Sequence, residues 1–596
     1  MFVRHFLSSK LKTFIPLNLP CCHSFECHFS RRTSKPSKSP QDVYNCNIRI
    51  NQLAREGKLH SARKVFDEML HRDVVSWNSM ITAYWQNGCL SESKKLFLSM
   101  PERTVVSWNS MIAGCVENDS IDDAYLYFST MPEKNVASWN AMISGYVKHG
   151  MVEEAARLFD EMPRKNVISY TAMTDGYMQK GETDKAKSLF DRMPQKNEVS
   201  WTVMINGYVE NECFDEAKEL FEKMPAKNKN VVAITAMVVG YCKEGRVEEG
   251  RILFDGILCK DSVAYNAMIS GYAQNGRNEE ALQLLVEMLR MSLRPDQSSC
   301  PSVLSACAAL ASPLVGRQTH AVVIKFGVDS VVSTCNALIT MYSKCGSIFE
   351  CELAFELITS PDLVSWNTII AAFAQHGLYA KAVAYLEQMV IRGCEPDGIT
   401  FLCLLSACAH AGLVSESISW FDSMVKNYNI TPRPEHYACL IDILGRAGQL
   451  DKAYNIIQEM PFDADLAAWG ALLAGCRANA NVELGQLAGE KVMELGGDSS
   501  GPYIMLSNIY AEAGMWGEVT RVRGLMKEHG IKKKPAYSWT EVENKVHYFL
   551  GGDISHPSIQ EIRTALKQMN LQMKFQEKVL DFTDFYFLDE LECTCN

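Results

Sequence analysis

Met-Pro dipeptides recur in the first half of this chain at intervals of 31 residues, and this period constrains the fold more than any other feature. The methionines of these pairs are Met100, Met131, Met162, Met193 and Met224. A second series keeps the same period and consists of Trp77-Asn78, Trp108-Asn109, Trp139-Asn140, Tyr170-Thr171 and Trp201-Thr202. A unit of this size cannot bury its own apolar face, so neighbouring units must stack. The sequence therefore predicts a tandem array of repeats.

Residues 136–166 show how one repeat is built. Its first half places Trp139, Met142, Ile143 and Tyr146 on one helical face. Gly150 is predicted to end this helix, because glycine is favoured just past a helix C-terminus. A second apolar face follows at Val152, Ala155, Phe159 and Met162, before a proline that cannot continue the helix. Each repeat is therefore predicted to be a helix–turn–helix hairpin.

Charge and cysteine content narrow the class of protein. The 596 residues include 59 Lys and Arg against 70 Asp and Glu, a net charge of −11. This acidity disfavours nucleic-acid binding through a broad basic surface, but it leaves open a narrow groove that reads single-stranded bases. The 21 cysteines form no C-x-x-C pair, which predicts free thiols in a reducing compartment. No apolar run approaches the roughly 20 residues of a membrane span.

The N-terminal segment, residues 1–42, differs in composition from the rest of the chain. Residues 1–41 carry seven basic residues and one acidic residue, Glu26, and are rich in serine. Phe2, Val3, Phe6, Leu7, Leu11 and Phe14 can line one helical face. This pattern predicts an organellar transit peptide with cleavage near Arg31–Ser39, for the mitochondrion or, as the alternative, the chloroplast. The other interpretation is a disordered basic arm.

Three repeat openings carry a family resemblance: VSWNSMITAY at 75–84, ASWNAMISGY at 137–146 and VAYNAMISGY at 263–272. Units of 35 residues, 262–296 and 363–397, end in Arg-Pro-Asp and Glu-Pro-Asp, and a longer motif follows each. These features resemble plant pentatricopeptide repeat (PPR) proteins of the PLS subfamily over roughly residues 43–562. Tetratricopeptide repeats differ in period, about 34 residues, and in opening. The resemblance implies an all-α fold, a right-handed α-solenoid of tandem hairpins.

The resemblance also implies a code in which the fifth and last residues of each repeat read one RNA base. The implied pairs are Asn47 with Asp73, Asn78 with Thr104, Asn109 with Asn135, Asn140 with Asn166, Thr171 with Asn197, Thr202 with Asn230, Thr235 with Asp261, Asn266 with Asp296, Asn336 with Asp362, and Asn367 with Asp397. The implied second-position base clamps are Val75, Val106, Ala137, Ile168, Val199, Val232 and Val263. The implied target, 5′ to 3′, is U-Y-Y-Y-A-A-G-U-N-U-U-N-N, where Y is a pyrimidine and N is open.

Some repeats carry no readable pair. The long motifs have Pro301 with Val331 and Leu402 with Pro434 at these positions, and repeat 435–465 has Cys439 with Asp465, whose preference stays open. The alternative role for any single asparagine here is a helix cap for its own backbone. The neighbouring aromatic residues are expected in the apolar core rather than against bases: Trp77, Trp108, Trp139 and Trp201.

The repeat pattern weakens after the array, which is assigned to residues 43–465. Residues 466–533 contain two degenerate hairpins, which resemble the E motifs of plant organelle RNA editing factors. Residues 534–563 resemble the E-plus segment, where partial alternation at Val542, Val546, Tyr548 and Leu550 predicts a short β-hairpin. A divergent tail, 564–596, completes the chain.

No enzyme site is expected. A zinc deaminase of the kind that follows the E-plus segment in many relatives needs H-x-E and C-x-x-C motifs, and the chain has neither. His547 and His556 are therefore interpreted as structural, and no catalytic residue, metal or cofactor is assigned.

These features together predict a site-recognition factor for organellar C-to-U RNA editing. The expected partners are single-stranded organellar RNA, a DYW-type deaminase protein acting in trans and multiple organellar RNA editing factors; no membrane is involved. One alternative is an organellar RNA stability, processing or splicing factor, which needs only the array. Another is a helical scaffold that binds protein, which the acidic charge favours and the polar pairs disfavour.

Overall fold

The computed structural model describes residues 40–496, 500–531, 537–542, 545–550, 556–569 and 571–572. Most of the expected transit segment, parts of the E-plus resemblance and most of the tail lie outside the described residues. The described chain forms two compact units, which we name the N-terminal unit (40–347) and the C-terminal unit (from Ile348).

The N-terminal unit consists of helical hairpins, each with a first and a second helix. The first helices are α1 (Pro40–Arg55), α3 (Val74–Gln86), α5 (Val105–Glu117), α7 (Val136–Lys148), α9 (Val167–Gln179), α11 (Glu198–Glu210), α13 (Val231–Lys243), α15 (Ser262–Gln274), α17 (Ser299–Leu310) and α19 (Val332–Lys344). The second helices are α2 (Leu59–Glu68), α4 (Leu90–Ser99), α6 (Ile121–Thr130), α8 (Val152–Glu161), α10 (Thr183–Asp191), α12 (Phe214–Lys223), α14 (Val247–Asp255), α16 (Asn278–Arg290) and α18 (Pro313–Phe326). A short 3-10 turn, Ala226–Asn228, precedes α13.

The C-terminal unit continues the same architecture. It begins with α20 (Ile348–Glu356) and contains the hairpins α21 (Leu363–Gln375) with α22 (Tyr379–Ile391), α23 (Gly398–Ala411) with α24 (Val414–Lys426), α25 (Pro434–Arg446) with α26 (Leu450–Glu459), α27 (Leu466–Ala478) with α28 (Val482–Glu494), and α29 (Ser500–Glu512) with α30 (Trp516–Glu528). Strands β1 (Tyr537–Val542) and β2 (Lys545–Leu550) then pair antiparallel, with Tyr537 opposite Leu550. The predicted helical solenoid and the short hairpin are both confirmed.

The repeat predicted at 136–166 illustrates the agreement in detail. Helix α7 ends at Lys148, and Gly150 adopts a φ of 72°, the left-handed conformation that closes the first helix. Glu153 and Glu154 lie in the first turn of α8, where the helix dipole favours acidic side chains. The second helix ends at Glu161, just before the Met-Pro pair.

Consecutive first helices approach closely because glycine occupies their contact point. A Cβ atom placed on Gly145 would lie 2.6 Å from Val116 Cγ2, and one on Gly207 would lie 2.5 Å from Met178 Cγ. Any side chain there would push the two helices apart. The glycine of the recurring Ser-Gly-Tyr and Asn-Gly-Tyr sequences therefore sets the spacing between neighbouring repeats.

An asparagine at the end of several first helices joins one repeat to the previous one. Asn118 Nδ2 donates to Gly114 O at 2.8 Å in its own helix and to Trp85 O at 3.0 Å in the preceding first helix. Asn87, Asn211, Asn275 and Asn479 make the same pair of bonds. These bonds give a second donor to carbonyl groups in the last turns of two neighbouring helices, since Gly114 O and Trp85 O also accept the backbone N–H groups of Asn118 and Gly88. This role was not predicted from the sequence.

Aromatic pairs connect the second helix of one repeat to the first helix of the next. The Phe66 and Trp77 rings lie 5.1 Å apart at an interplanar angle of 82°, a T-shaped contact. The same contact recurs at Phe97 with Trp108, Phe128 with Trp139, Phe159 with Tyr170 and Phe190 with Trp201. The four tryptophans therefore belong to the core, as the sequence predicted.

Ala480 closes the turn after α27 with a φ of 52°, in the position where glycine closes most other repeats. The left-handed conformation costs an alanine about 1 kcal/mol more than a glycine. We therefore expect Ala480→Gly to raise the free energy of unfolding of the C-terminal unit by about 1 kcal/mol, measured by hydrogen exchange at α27 and α28. The control, Ala474→Gly within α27, is expected to lower it by about the same amount. No gain in Ala480→Gly would contradict the assigned turn conformation.

Candidate nucleic-acid interface

The last residue of most repeats caps the helix that begins the next repeat. Asp73, for example, accepts the Ser76 backbone N–H at 2.7 Å. Equivalent caps are Asn135, Asn166, Asn197, Asn230, Asp261, Asp362, Asp397 and Asp465. Thr104 begins α5 with its hydroxyl 3.2 Å from that of Ser107. The capping alternative is therefore correct for the last residues, which can still offer their remaining polar surface to a ligand.

The fifth residues lie one turn into the first helices, and several turn towards the last residue of their own repeat. The amide Nδ2 atoms of Asn266 and Asn367 lie 3.0 Å from the carboxylates of Asp296 and Asp397. Weaker bonds join Asn47 to Asp73 at 3.5 Å, Asn109 to Asn135 at 3.4 Å and Asn140 to Asn166 at 3.2 Å. The structure thus brings together five of the ten predicted pairs in direct contact.

The other pairs lack a direct bond among the described residues of the N-terminal unit. They are Asn78 with Thr104, Thr171 with Asn197, Thr202 with Asn230, and Thr235 with Asp261. The Thr202 hydroxyl instead donates to Glu198 O at 2.8 Å. The tenth pair has one member in each unit, with Asn336 in the first and Asp362 in the second.

Buried polar atoms without a protein partner concentrate at the fifth positions. In the described chain these atoms include the Oδ1 atoms of Asn47, Asn78, Asn109, Asn140, Asn266 and Asn336 and the Oγ1 atoms of Thr171 and Thr235. A buried polar atom that makes no hydrogen bond costs about 1–3 kcal/mol, and native proteins keep few of them. In the described chain such atoms therefore recur at one position of successive first helices.

The second residues of the repeats form an exposed apolar series beside these atoms. Val75, Val106, Ile168, Val199, Val232 and Val263 are each at least 52% exposed, and Ala137 is exposed as well. Tyr44, Val364 and Ile399 occupy the same position in other repeats and are also exposed, although the sequence analysis did not include them. Regularly spaced apolar side chains without core contacts provide flat surfaces on which ligand rings can pack.

Burial and hydrogen bonding act in opposite directions on the carboxylates of the pairs. Burial alone would raise the pKa of Asp73, but hydrogen bonds from Ser76 and Asn47 outweigh it, so that this pKa lies below its ordinary value. The same balance, with bonds from Thr400 and Asn367, lowers the pKa of Asp397. Both side chains are therefore ionised at neutral pH and act as hydrogen-bond acceptors only.

One acidic residue lies four positions after a fifth residue, on the same helical face. Burial raises the pKa of Asp175 above its ordinary value, although Gln179 donates a hydrogen bond to it, and the charge of Glu210 adds to the rise. This carboxylate adds negative charge to the same side of α9 as Thr171.

Histidine and metal chemistry do not define a site in the described chain. Among the residues that the structure describes, no group of three or more His, Cys, Asp or Glu side chains is arranged to hold a metal ion. His547 Nδ1 lies 2.8 Å from His556 Nε2, and the Ser558 backbone N–H donates to His556 Nδ1 at 3.1 Å. This pair joins β2 to the turn that follows it.

Within the same described residues, no helix is both long and apolar enough to cross a membrane.

Stacked two-helix repeats, most of which present a polar pair and an exposed apolar residue, define a helical-repeat protein. The profile described as PPR repeat matches residues 44–74, 75–105, 106–136, 137–167, 168–198, 199–228, 232–261, 333–360, 399–428 and 435–462. The profile described as PPR repeat family matches 260–309 and 361–410, and the E motif profile matches 479–541. The chain belongs to the pentatricopeptide repeat family, and its E motif places it in the plant E subgroup.

Similar proteins from Arabidopsis thaliana are named pentatricopeptide repeat-containing proteins. One pentatricopeptide repeat-containing protein is 42% identical over 348 residues, 58% of this chain and 66% of that protein. Another, named chloroplastic, is 37% identical over 345 residues, 58% of this chain and 41% of that protein. A putative member named mitochondrial is 35% identical over 342 residues, 57% of this chain and 55% of that protein. The matched segments span less than two thirds of each relative.

Among solved structures, the chain is similar to the pentatricopeptide repeat protein PPR10 in complex with an 18-nt psaJ RNA element. The TM-score is 0.49 and the sequence identity 20%, and the superposition covers 84% of this chain and 81% of that chain.

The unpartnered hydroxyl of Thr235 generates a test of the site in the free protein. Thr235→Val keeps the branched shape and replaces a buried, unbonded hydroxyl with a methyl group, so we expect it to raise the free energy of unfolding by about 1 kcal/mol. Thr400→Val is the matched control, because the Thr400 hydroxyl is bonded; this variant is expected to be destabilised. Thermal unfolding checks both. Destabilisation of Thr235→Val would show that its hydroxyl has a partner in the free protein.

Proposed function

We propose that this protein binds single-stranded RNA in a sequence-specific manner and thereby selects sites of C-to-U editing in an organelle. The observation that carries the proposal is the series of unpartnered polar atoms at the fifth positions, flanked by exposed apolar second residues. Single-stranded RNA offers both matching elements at every step, namely a base edge that hydrogen-bonds and a flat ring face. A partner protein would not repeat both elements at the spacing of the repeats.

Short side chains suit the reading of base edges. Asn, Thr and Asp have few rotamers, and here they are held by the caps and pairs described above. An asparagine side chain offers both a donor and an acceptor to a base edge, whereas an ionised aspartate only accepts, from ring N–H groups or amines. The proposed order of bases is the one that the resemblance to the family implies.

The E motif supports the second half of the proposal. Its match at 479–541 lies directly after the array. In the proposed mechanism the array holds the RNA 5′ of the edited cytidine, and the E region recruits a DYW-type deaminase in trans. The chain itself then performs no chemistry. It contributes by positioning the cytidine, which converts an encounter between two free molecules into a local reaction.

We place this activity in an organelle, and in the mitochondrion before the chloroplast. The basic N-terminal composition supports import, and named relatives include both a mitochondrial and a chloroplastic protein. Multiple organellar RNA editing factors are proposed as further partners.

Binding of a defined RNA tests the reading of bases. The full chain should bind an RNA that carries U-Y-Y-Y-A-A-G-U-N-U-U-N-N and should bind its scramble at least about tenfold more weakly, since a base mismatch typically costs 1–3 kcal/mol in analogous nucleic-acid sites. Thr235→Asn should shift the preference at the matching base from G towards a pyrimidine. Filter binding with each base in turn measures both effects. Equal affinity for string and scramble at low salt would favour the protein-binding scaffold.

The carboxylate of Asp175 generates a pH prediction. If RNA lies along this face, its phosphates are repelled by the ionised side chain, so Asp175→Asn should raise the affinity by about threefold. Because the pKa of Asp175 is raised, the wild-type affinity should increase as the pH falls and the carboxylate is protonated, and Asp175→Asn should lose this increase. Asp160→Asn, on the second helix α8, serves as the control and should leave affinity unchanged. Identical pH profiles for wild type and Asp175→Asn would place the RNA elsewhere.

A further inference from the structure

Two repeats with the same pair differ in how the fifth residue is held. Repeats 262–296 and 363–397 both combine asparagine with aspartate, and in both the asparagine Nδ2 lies 3.0 Å from the carboxylate. A long motif follows each repeat. The third residue of that motif is Ser299 in the first case and Thr400 in the second. The two repeats therefore form a natural comparison within one chain.

Thr400 contacts both members of the pair before it. Its hydroxyl lies 2.6 Å from Asn367 Oδ1, in a buried contact, and 2.9 Å from Asp397 Oδ1. It also accepts the Asp397 backbone N–H at 3.1 Å, which holds it in place. Asn367 is 7% exposed and Thr400 is fully buried, so water does not compete for these bonds.

Ser299 behaves differently. Its hydroxyl lies 3.3 Å from the Asp296 carbonyl oxygen and 3.4 Å from Asp296 Oδ1, and it does not reach Asn266. The Oδ1 atom of Asn266 is therefore buried without a partner, in contrast to that of Asn367. Serines at the third position of other repeats, such as Ser76, likewise bond to the last residue rather than to the fifth.

The neighbouring carboxylates fix which way the side-chain amides of Asn266 and Asn367 point. An ionised carboxylate only accepts hydrogen bonds, so the amide atom that faces Asp397 must be the nitrogen. The Asn367 oxygen then faces the hydroxyl of Thr400, which donates to it. A flipped amide would place two acceptors against each other. Asn367 thus keeps one N–H beyond its bond to Asp397, and its oxygen already accepts from Thr400, whereas the buried oxygen of Asn266 makes no hydrogen bond.

We propose that Thr400 is a specificity-determining positioning residue, which makes repeat 363–397 select uracil over cytosine more strongly than repeat 262–296 does. This inference rests on the proposed RNA binding. Uracil presents a carbonyl acceptor beside its N3–H donor, which complement the free N–H of Asn367 and the carboxylate of Asp397. Cytosine presents an amine donor beside the N3 acceptor. Its amine needs the asparagine oxygen, which in repeat 363–397 is buried and already engaged by the hydroxyl of Thr400.

The long motif 398–434 therefore takes part in reading without a polar pair of its own. Its Leu402 and Pro434 offer no hydrogen bond to a base edge, but its Thr400 limits what the preceding repeat accepts. The third residue of the following motif therefore helps to determine which base the preceding pair accepts.

Reciprocal substitutions test the inference. The full chain and its variants Thr400→Ser and Ser299→Thr are measured by filter binding against four RNAs, which carry U or C at the base assigned to repeat 363–397 or to repeat 262–296. For the wild-type protein, the ratio of the affinity for U to the affinity for C should be larger at repeat 363–397 than at repeat 262–296. Thr400→Ser should lower that ratio about fivefold, the worth of one oriented hydrogen bond, and leave the ratio at repeat 262–296 unchanged. Ser299→Thr should raise the ratio at repeat 262–296.

A second variant separates the hydroxyl from the methyl group. Thr400→Val keeps the branched shape but removes the hydroxyl, and it should lower the ratio at repeat 363–397 as much as Thr400→Ser does. If Thr400→Val lowers the ratio and Thr400→Ser does not, the hydroxyl alone is responsible for the selection and the methyl group is not needed. Circular dichroism confirms that each variant is folded. Unchanged ratios in both Thr400 variants of a protein that prefers the predicted RNA overturn the inference. Failure of the wild type to distinguish the predicted RNA from its scramble overturns the proposed function instead.

Discussion

The side-chain cap at the N-terminus of most first helices is the interaction on which the candidate interface depends. The capping side chain, for example Asp397, accepts the Thr400 backbone N–H at the start of α23 and the side-chain N–H of Asn367 in the previous first helix. One carboxylate thus begins a helix, joins two repeats and positions a fifth residue. Loss of a cap typically costs 0.5–2 kcal/mol, so the last residues contribute to stability whether or not they also read bases, as we propose. The fifth residues cap no helix in this way.

The packing of the first helices sets the distance between neighbouring repeats. Glycines such as Gly145 bring neighbouring helices close, and asparagines such as Asn118 bond across them. The aromatic contacts of Trp77 and its equivalents close the opposite side of each helix against the preceding second helix. After this packing, the first helices still have exposed second residues and fifth-residue polar atoms that lack a hydrogen-bond partner. Under the proposed function, a bound base would satisfy those polar atoms and offset their cost.

The sequence analysis predicted the hairpins well because each depends on residues that are close in the chain. Gly150 and the Met-Pro pair after α8 mark helix ends by local backbone chemistry alone. Contacts between repeats could not be predicted in this way. The bond from Asn87 to Ala54 O joins residues 33 positions apart, and the bond from Thr400 to Asn367 depends on rotamers that the sequence does not encode locally. The exposure of Tyr44, Val364 and Ile399 emerged only from packing. Capping by the last residues is local, and the sequence had offered it as an alternative role.

Organelle RNA sequencing of plants that lack this protein tests whether the array selects particular cytidines for editing, as we propose. We expect one or a few cytidines to lose editing and the bases 5′ of each to fit U-Y-Y-Y-A-A-G-U. Full editing at every cytidine, together with loss of one transcript or retention of one intron, would contradict it and would assign the array to RNA stability or splicing.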